Sequence, residues 1–299
     1  MSNTGIIDAH IHAYPEEVYQ NPRKWGTAMG EHHWVNTVAP TAGKSIQGWS
    51  DVRQLLRDMD AANIEKVVML GWYWEQQATC ECQNKWYIEW VQQHPDRIMG
   101  FATANPLAGQ RALDSLRAAV DAGLIGFGEF LPQAQGYDLR HDAWHQVVEL
   151  AVELEVPINI HVTEPVGPAY AGRIETPLAD YVELARTFPQ CTFILAHWGG
   201  LLPFYEMNKR VQHALQHVYY DTAASPLLYN ANIYRRVIDA IGSDRILFGS
   251  DYPLLLTPNK CKRPSFLPIL EELQASQLTL EEHQQILSEN ARRVFEIKS

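Results

Sequence analysis

The chain has 299 residues, 46% of them hydrophobic, and a formal net charge of −11 at pH 7. This composition suits a globular protein with a sizeable core, and the acidic charge argues against a surface that binds nucleic acid or an anionic membrane. The chain has few cysteines (Cys80, Cys82, Cys191 and Cys261), no signal-peptide pattern and no apolar run of membrane-spanning length, so we expect a cytoplasmic protein.

Short apolar runs alternate with longer amphipathic segments along the whole chain. The runs begin near Gly5, Lys66, Ile98, Leu124, Pro157, Thr192, His217 and Arg245. Their continuous apolar character is typical of parallel strands that are buried on both faces. Apolar residues at helical spacing fill the intervals, for example at 51–62, 110–122, 141–154 and 204–215, and two further helical segments follow at 264–275 and 280–295.

This alternation predicts an α/β protein, and its simplest architecture is a closed (β/α)8 TIM barrel. No linker rich in Gly, Ser or Pro divides the chain, so we expect residues 1–299 to form a single domain. A doubly wound open sheet is the alternative, although no G-x-G-x-x-G fingerprint or P-loop is present. Two long loops rich in aromatic residues are expected after the first and second strands, at 13–50 and 72–82.

Polar side chains suited to metal binding or acid–base chemistry follow four of the runs. His10 and His12 lie two residues apart after the first run, so in a strand both point to the same face. His161, His197 and Asp251 follow three later runs. The carboxyl ends of barrel strands meet at one face, and imidazole and carboxylate bind Zn²⁺, Mn²⁺ or Fe²⁺. A lone histidine is more often structural, but the shared placement of this set predicts a divalent metal site.

The motifs around these residues resemble those of a known family. They are Asp-Ala-His-Ile-His at 8–12, Ile-His-Val at 160–162, Ala-His-Trp-Gly-Gly at 196–200 and Phe-Gly-Ser-Asp-Tyr-Pro at 248–253. Together they resemble the amidohydrolase superfamily, specifically the amidohydrolase-2 branch of enzymes of the aminocarboxymuconate-semialdehyde decarboxylase and pyrone-dicarboxylate lactonase type. Each motif alone is weak, but the four occur in order across nearly the whole chain.

The resemblance implies a role for each of these residues. His10, His12 and His161 would bind the metal, and Asp251 would bind it or share its bound water. His197 would act beside that water as acid, base or electrophile. Zn²⁺ is the expected ion and Mn²⁺ the alternative, with one or two ions per chain. The resemblance also implies a homo-oligomer.

Glu129, which closes the fourth run, decides between two forms of this site. In some superfamily hydrolases with a paired-metal site, the fourth strand supplies a bridging carboxylate, whereas the decarboxylases of this branch are not expected to have a glutamate there. If Glu129, His161 and His197 held a second metal, His197 would be a ligand rather than a catalyst. The alternative is a glutamate that only forms hydrogen bonds or ion pairs inside the barrel mouth.

Aromatic and charged residues near the expected barrel mouth are candidates for binding a small-molecule substrate. Trp72, Tyr73 and Trp74 follow the second strand and Trp198 follows the sixth, and they would form an aromatic wall or else pack on the barrel rim. Arg173, in the loop after the fifth strand, would clamp a substrate carboxylate with its guanidinium fork, or lie at the surface without such a role.

These features leave three functions open. The first is hydrolysis of a small carbonyl substrate (a lactone, amide or ester) by metal-bound hydroxide, with Asp251 taking the proton and His197 stabilising the oxyanion if it is not a ligand. The second is non-oxidative decarboxylation of an aromatic or enoic acid, with His197 or Asp251 protonating carbon. The third is a catalytically silent barrel that only binds or scaffolds, which the complete set of ligand types argues against.

Overall fold

The computed structural model describes residues 5–260 and 262–297, so Cys261 lies outside the described residues. Short β-branched and apolar runs form the strands. Within the described ranges these are β1 (Ile6–Ile11), β2 (Ile64–Met69), β3 (Ile98–Gly100), β4 (Phe127–Phe130), β5 (Ile158–Ile160), β6 (Phe193–Leu195), β7 (Val218–Asp221) and β8 (Ile246–Leu247). Each begins close to the position that the sequence predicts.

The strands run parallel and close into a barrel. Strands β1 to β3 are hydrogen-bonded neighbours, and so are β4 to β8. Ala102, just after β3, pairs with Phe127 of β4, and Ile11 of β1 pairs with Tyr252, which follows β8. At this second seam the main-chain N–H of His12 donates to the Tyr252 carbonyl oxygen over 2.6 Å. The predicted (β/α)8 barrel is confirmed, and a doubly wound open sheet is excluded because it would leave two free edges.

Helices surround the barrel and also occupy its loops. In chain order the α-helices of the described residues are α1 (Glu16–Tyr19), α2 (Pro22–Met29), α3 (His32–Val38), α4 (Val52–Ala61), α5 (Gln77–Gln93), α6 (Gln110–Asp121), α7 (Pro132–Gln135), α8 (Asp142–Glu153), α9 (Leu178–Thr187), α10 (Lys209–Ala214), α11 (Ser225–Leu228), α12 (Asn232–Ile241), α13 (Leu267–Gln274), α14 (Leu280–Gln284) and α15 (Asn290–Val294). Segments Pro106–Ala108 and His197–Met207 are 3₁₀-helical, and a π-helical turn, Gln285–Glu289, joins α14 to α15. In these ranges no helix combines the length and the apolar character needed to span a bilayer.

The apolar faces of the helices explain why they pack on the barrel. Leu55 and Met59 of α4 are completely buried, as is Trp144 of α8, and they belong to a core cluster that also contains strand residues. A separate cluster joins Ile7 of β1 to Ala291 of α15. The helices therefore hold the strand ends in fixed positions, which is what a site at the barrel mouth requires.

Three segments differ from the predicted pattern. The long segment after β1 is not an open loop but contains α1 to α3, and the segment after β2 becomes helical at Gln77. Only Lys209–Ala214 of the helix expected at 204–215 is α-helical, because the preceding 3₁₀ segment contains Pro203 and residues with positive φ.

Aromatic packing explains the order in the segment after β1. The ring centroid of Trp34 lies 6.2 Å from that of Tyr14 and 5.4 Å from that of Trp74. All three side chains are nearly inaccessible to solvent. This aromatic cluster gives the two loops a small core of their own and fixes them to one side of the barrel mouth.

Candidate metal centre

The two histidines of β1 each hold one ring nitrogen in a hydrogen bond and leave the other free. His10 Nδ1 lies 2.8 Å from Asp221 Oδ2, and His12 Nδ1 lies 3.0 Å from the Leu70 carbonyl oxygen. Because both acceptors favour a proton on Nδ1, each neutral ring presents a lone pair on Nε2. His10 Nε2 is buried and has no hydrogen-bond partner, which is the state of a nitrogen prepared to bind a ligand.

Glu129, near the end of β4, turns its two carboxylate oxygens toward different histidine pairs. Oε2 lies 3.9 Å from His10 Nε2 and 3.7 Å from His12 Nε2. Oε1 lies 2.9 Å from His161 Nδ1 and 3.6 Å from His197 Nε2. The side chain is only 2% exposed. The carboxylate therefore lies between two sets of nitrogen donors.

Asp251 adds a second carboxylate on the side of β1. Its Oδ1 lies 3.8 Å from His10 Nε2 and 3.6 Å from His12 Nε2. Its Oδ2 lies 3.9 Å from His197 Nδ1. Asp251 is nearly buried, with 6% of its surface exposed. It thus borders both the β1 histidines and the histidine after β6.

These side chains fit a divalent metal ion. Among the described residues, two overlapping triads have ligand atoms within 4.8 Å of one another: His10, His12 and Asp251, and His10, Glu129 and His197. His161 belongs to neither triad, but its Nδ1 lies 3.2 Å from His197 Nε2. Imidazole nitrogens with carboxylate oxygens are the donor set of catalytic Zn²⁺ and Mn²⁺ sites, and the unpartnered His10 nitrogen supports the fit.

Burial and the charges of neighbouring side chains set the pKa values of the cluster. Burial opposes the charge of His10, but Asp221 raises the pKa of His10 to about 10. Burial also opposes the charge of His197, but the neighbouring Glu129 carboxylate raises the pKa of His197 to about 9. Burial disfavours an ionised Glu129, yet His161 holds the pKa of Glu129 well below its usual range. Metal binding at these nitrogens would therefore release protons.

Asp221, at the end of β7, belongs to this centre although it lies outside the four sequence motifs. It is completely buried and contacts both the His10 imidazole and the main-chain N–H of His197. The available signal was its position, because a carboxylate closes the run that begins near His217 just as polar residues close the other runs.

Two adjacent aromatic side chains cover the donors. The ring centroid of Trp72 lies 5.7 Å from that of His12, and that of Tyr73 lies 5.7 Å from that of His161. The Trp72 and Tyr73 rings are 4.3 Å apart. The Trp72 indole N–H is buried and has no partner. Of the four residues expected in the aromatic wall, Trp72 and Tyr73 therefore lie beside the donors.

The other two tryptophans expected in this wall lie elsewhere. Trp74 and Trp198 are completely buried. Trp74 Nε1 donates to Gln83 Oε1 and Trp198 Nε1 donates to Ser225 Oγ, each over 2.5 Å. Because neither indole exposes surface or a spare donor, both pack within the loops in this structure, and their expected part in substrate binding stays a prediction.

Arg173 lies in the segment between β5 and α9 and is mostly buried. Its Nη2 donates to the Glu164 carbonyl oxygen over 2.9 Å, and its Nη1 lies 4.0 Å from Glu175 Oε1. Its Nε is buried without a partner. The neighbouring Gly172 carbonyl oxygen lies 2.9 Å from His33 Nε2, which joins this segment to α3. Arg173 thus retains donor capacity for an anionic group.

Comparison with protein families and curated sequences gives two matches. A family model described as amidohydrolase matches residues 7–297. An uncharacterized metal-dependent hydrolase, YabD of Bacillus subtilis (strain 168), is 24% identical over 270 residues, which cover 83% of this chain and 94% of that protein.

Solved structures share the fold over nearly the whole chain. The 5-carboxyvanillate decarboxylase LigW from Sphingomonas paucimobilis has a TM-score of 0.76 and 14% identity, covering 99% of this chain and 100% of its own. A dihydroxybenzoic acid decarboxylase from Polaromonas sp. JS666, with bound manganese and 2-nitroresorcinol, has a TM-score of 0.71 and 19% identity, covering 98% of this chain and 97% of its own. A probable 2-pyrone-4,6-dicarboxylic acid hydrolase from Acinetobacter baumannii, with bound citric acid, has a TM-score of 0.67 and 15% identity, covering 98% of this chain and 100% of its own.

Proposed function

This chain belongs to the amidohydrolase family, and from that premise we propose that it is a metal-dependent hydrolase of a small lactone, amide or ester, with a site for two divalent cations. His10, His12 and Asp251 would hold one cation, and His161 and His197 would hold the other. Glu129 would bind both. Zn²⁺ is the expected ion, and the manganese bound by the similar decarboxylase supports Mn²⁺ as the alternative.

The observation that carries this proposal is the division of the Glu129 carboxylate between two donor sets. One oxygen lies 3.7 Å from His12 Nε2, and the other lies 2.9 Å from His161 Nδ1. A buried carboxylate whose two oxygens face separate imidazole pairs has the arrangement of a ligand shared by two cations. A glutamate that served only in an ion pair would need one of these contacts, not both.

The residues around the cations would then perform the chemistry. Bound divalent cations lower the pKa of a coordinated water to about 7 and polarise a carbonyl oxygen. Asp251 would accept the proton of the attacking water and return it to the oxygen or nitrogen that leaves as the carbon–oxygen or carbon–nitrogen bond breaks. Trp72 and Tyr73 would bound the substrate on one side, and Arg173 would bind a substrate carboxylate where one is present.

Decarboxylation of an aromatic or enoic acid is the second candidate. Two observations favour it: the spare guanidinium donors of Arg173 suit an acid, and Asp251 Oδ2 lies close to His197 Nδ1. In that case one cation would bind, and His197 or Asp251 would deliver a proton to carbon as CO₂ leaves. Product analysis separates the two reactions, because hydrolysis opens a ring or an amide whereas decarboxylation releases CO₂.

The test is the metal content per chain, measured by elemental analysis on protein purified without chelator and without added metal. We expect about two ions in the wild type, about one in Glu129→Gln, and about two in Glu31→Gln. Glu31 is the matched control because it is also completely buried, yet it accepts the main-chain N–H groups of Glu75 and Gln76 instead of facing the histidines.

The outcome directs the search for a substrate. Two ions in the wild type with one in Glu129→Gln would support the hydrolase, and lactones and amides would be screened first. One ion in the wild type that persists in Glu129→Gln would overturn the two-cation proposal. Carboxylic acids would then be screened with detection of CO₂, and His197 would return as the acid–base residue.

A further inference from the structure

Asp221 is a buried carboxylate on which N–H donors from four strands or their following loops converge. Its Oδ2 lies 2.8 Å from His10 Nδ1 and 3.3 Å from Asn159 Nδ2. Its Oδ1 accepts the main-chain N–H groups of His197 over 2.9 Å and of Ala223 over 3.0 Å. Because these groups donate to it, only an ionised carboxylate satisfies all of them at once.

This arrangement joins the two halves of the metal centre. Through Oδ2 the carboxylate sets which nitrogen of His10 carries the proton, since Nδ1 must donate and Nε2 is left free. Through Oδ1 it anchors the main chain at His197, whose φ is +56°, a left-handed conformation that is uncommon for a residue other than glycine. One buried side chain therefore supports a donor in each set.

We propose that Asp221 is a positioning residue that fixes the ring proton of His10 and the main-chain turn of His197, and so keeps both nitrogen donors directed at the metal site. The inference rests on the proposed metal site but not on whether the enzyme hydrolyses or decarboxylates its substrate. Asp221 would bind neither cation, because its oxygens are already occupied by these N–H groups.

In Asp221→Asn an NH₂ donor replaces one acceptor oxygen. This NH₂ must face either the His10 ring or the main-chain N–H groups on the other side of the carboxylate. We expect the remaining oxygen to face the main-chain N–H groups of His197 and Ala223, because a main-chain N–H can only donate a hydrogen bond. The NH₂ would then oppose His10 Nδ1–H. The imidazole can respond by moving its proton to Nε2, and that nitrogen then has no lone pair for a cation.

The experiment measures Zn²⁺ affinity by competition with a chelator and the protonation of His10 by ¹⁵N NMR in the Zn²⁺-loaded protein. In Asp221→Asn we expect affinity to fall about 10- to 100-fold. We also expect the His10 signal of a metal-bound Nε2 with a protonated Nδ1 to disappear. Thermal unfolding of both proteins checks that the variant is folded.

Asp8→Asn is the matched control. Asp8 is also completely buried, and its Oδ1 accepts the main-chain N–H groups of His10 and Ser250, so a single amide oxygen can satisfy both donors. We expect Asp8→Asn to keep the His10 signal and to change Zn²⁺ affinity by less than about threefold.

The outcomes separate this inference from the proposed function. A wild type that binds no Zn²⁺ would overturn both. A wild type that binds Zn²⁺ while Asp221→Asn retains both its affinity and its His10 signal would overturn the role of Asp221 alone. If Asp221→Asn does not fold, the NMR spectrum of the Zn²⁺-loaded wild type still tests the inference. A His10 that binds Zn²⁺ through Nδ1 would contradict it.

Discussion

At the residue scale, two of the candidate functional groups adopt backbone conformations that their side chains disfavour. The φ angle of His197 is +56° and that of Asp251 is +64°. The left-handed region costs about 1–2 kcal/mol for a residue with a Cβ. Hydrogen bonds compensate this cost at Asp251, where the main-chain N–H donates to the His10 carbonyl oxygen over 2.9 Å. Strain held in place by a surrounding network is common at active sites.

The conformation of Asp251 makes asparagine an informative substitution there. Asparagine tolerates the left-handed region better than most residues, so Asp251→Asn should keep the fold and the backbone of the site. It removes the charge and the proton-accepting capacity that the proposed reaction needs. We expect the rate to fall at least about 100-fold, with an unchanged circular dichroism spectrum. Turnover within a few-fold of the wild-type rate would contradict the assigned role.

The sequence was sufficient to propose the donors but not the groups that orient them. His10, His12 and His161 follow apolar runs that the pattern identifies as strands, so their convergence at the barrel mouth could be predicted. The acceptors for their ring nitrogens could not, because those pairings join residues far apart in the chain, as in the contact between His10 and Asp221. The assignment of individual ligands stays a prediction.

At the scale of elements, Glu129 depends on a glycine that precedes it in β4. Gly128 has a φ of +127°, and a Cβ placed there would lie 2.3 Å from the Asn159 carbonyl oxygen in β5. Both the conformation and the close approach of the two strands therefore require glycine. The sequence shows Gly128 only as one residue of a β-rich run, because nothing local reveals which neighbouring main chain will approach it.

Gly128→Ala should therefore disturb both stability and the metal centre. We expect a loss of about 2–4 kcal/mol in the free energy of unfolding, because the Cβ must push β4 away from β5. Displacement of Glu129 should also lower the metal content per chain. Urea denaturation and elemental analysis measure these two effects.

Gly136→Ala provides the control for backbone strain alone. Gly136 has a φ of +88°, and the nearest atom to an added Cβ is 3.7 Å away, at the Leu107 side chain. We expect a loss of about 1 kcal/mol in stability and an unchanged metal content. Equal losses of metal in both variants would contradict the claim that the close approach at Gly128 positions Glu129.

The hydrophobic pattern of the sequence does not predict the helices inside the loops. The segment after β1 carries several aromatic residues without strong helical periodicity, so the sequence predicts a long loop. In the structure Trp34 packs on Tyr14 of the same segment and on Trp74 from the next loop. Helix α3 is therefore stabilised by tertiary contacts, which outweigh its weak local preference.

At the scale of the whole molecule, closure of the barrel brings distant parts of the chain to one site. The alternation of runs was enough to predict the architecture, even though β8 contains only Ile246–Leu247. The seam between β8 and β1 is what places Asp251 beside His10, and the sequence contains no local signal for it. That residues 1–299 form one domain, that the protein is cytoplasmic and that it forms a homo-oligomer stay predictions.

Because the proposed donors come from both sets of hydrogen-bonded strands, β1 to β3 and β4 to β8, bound metal should stabilise the barrel as a unit. A cation that binds only the folded chain adds about 2.7 kcal/mol when its free concentration is 100 times its Kd. For a protein of this size we expect removal of the metal by chelator to lower Tm by roughly 5–10 °C, and added Zn²⁺ or Mn²⁺ to restore it. Glu129→Gln should show a smaller shift, since it would lose a ligand shared by both cations. A Tm that does not change when bound metal is removed would contradict a metal site that forms only in the folded barrel.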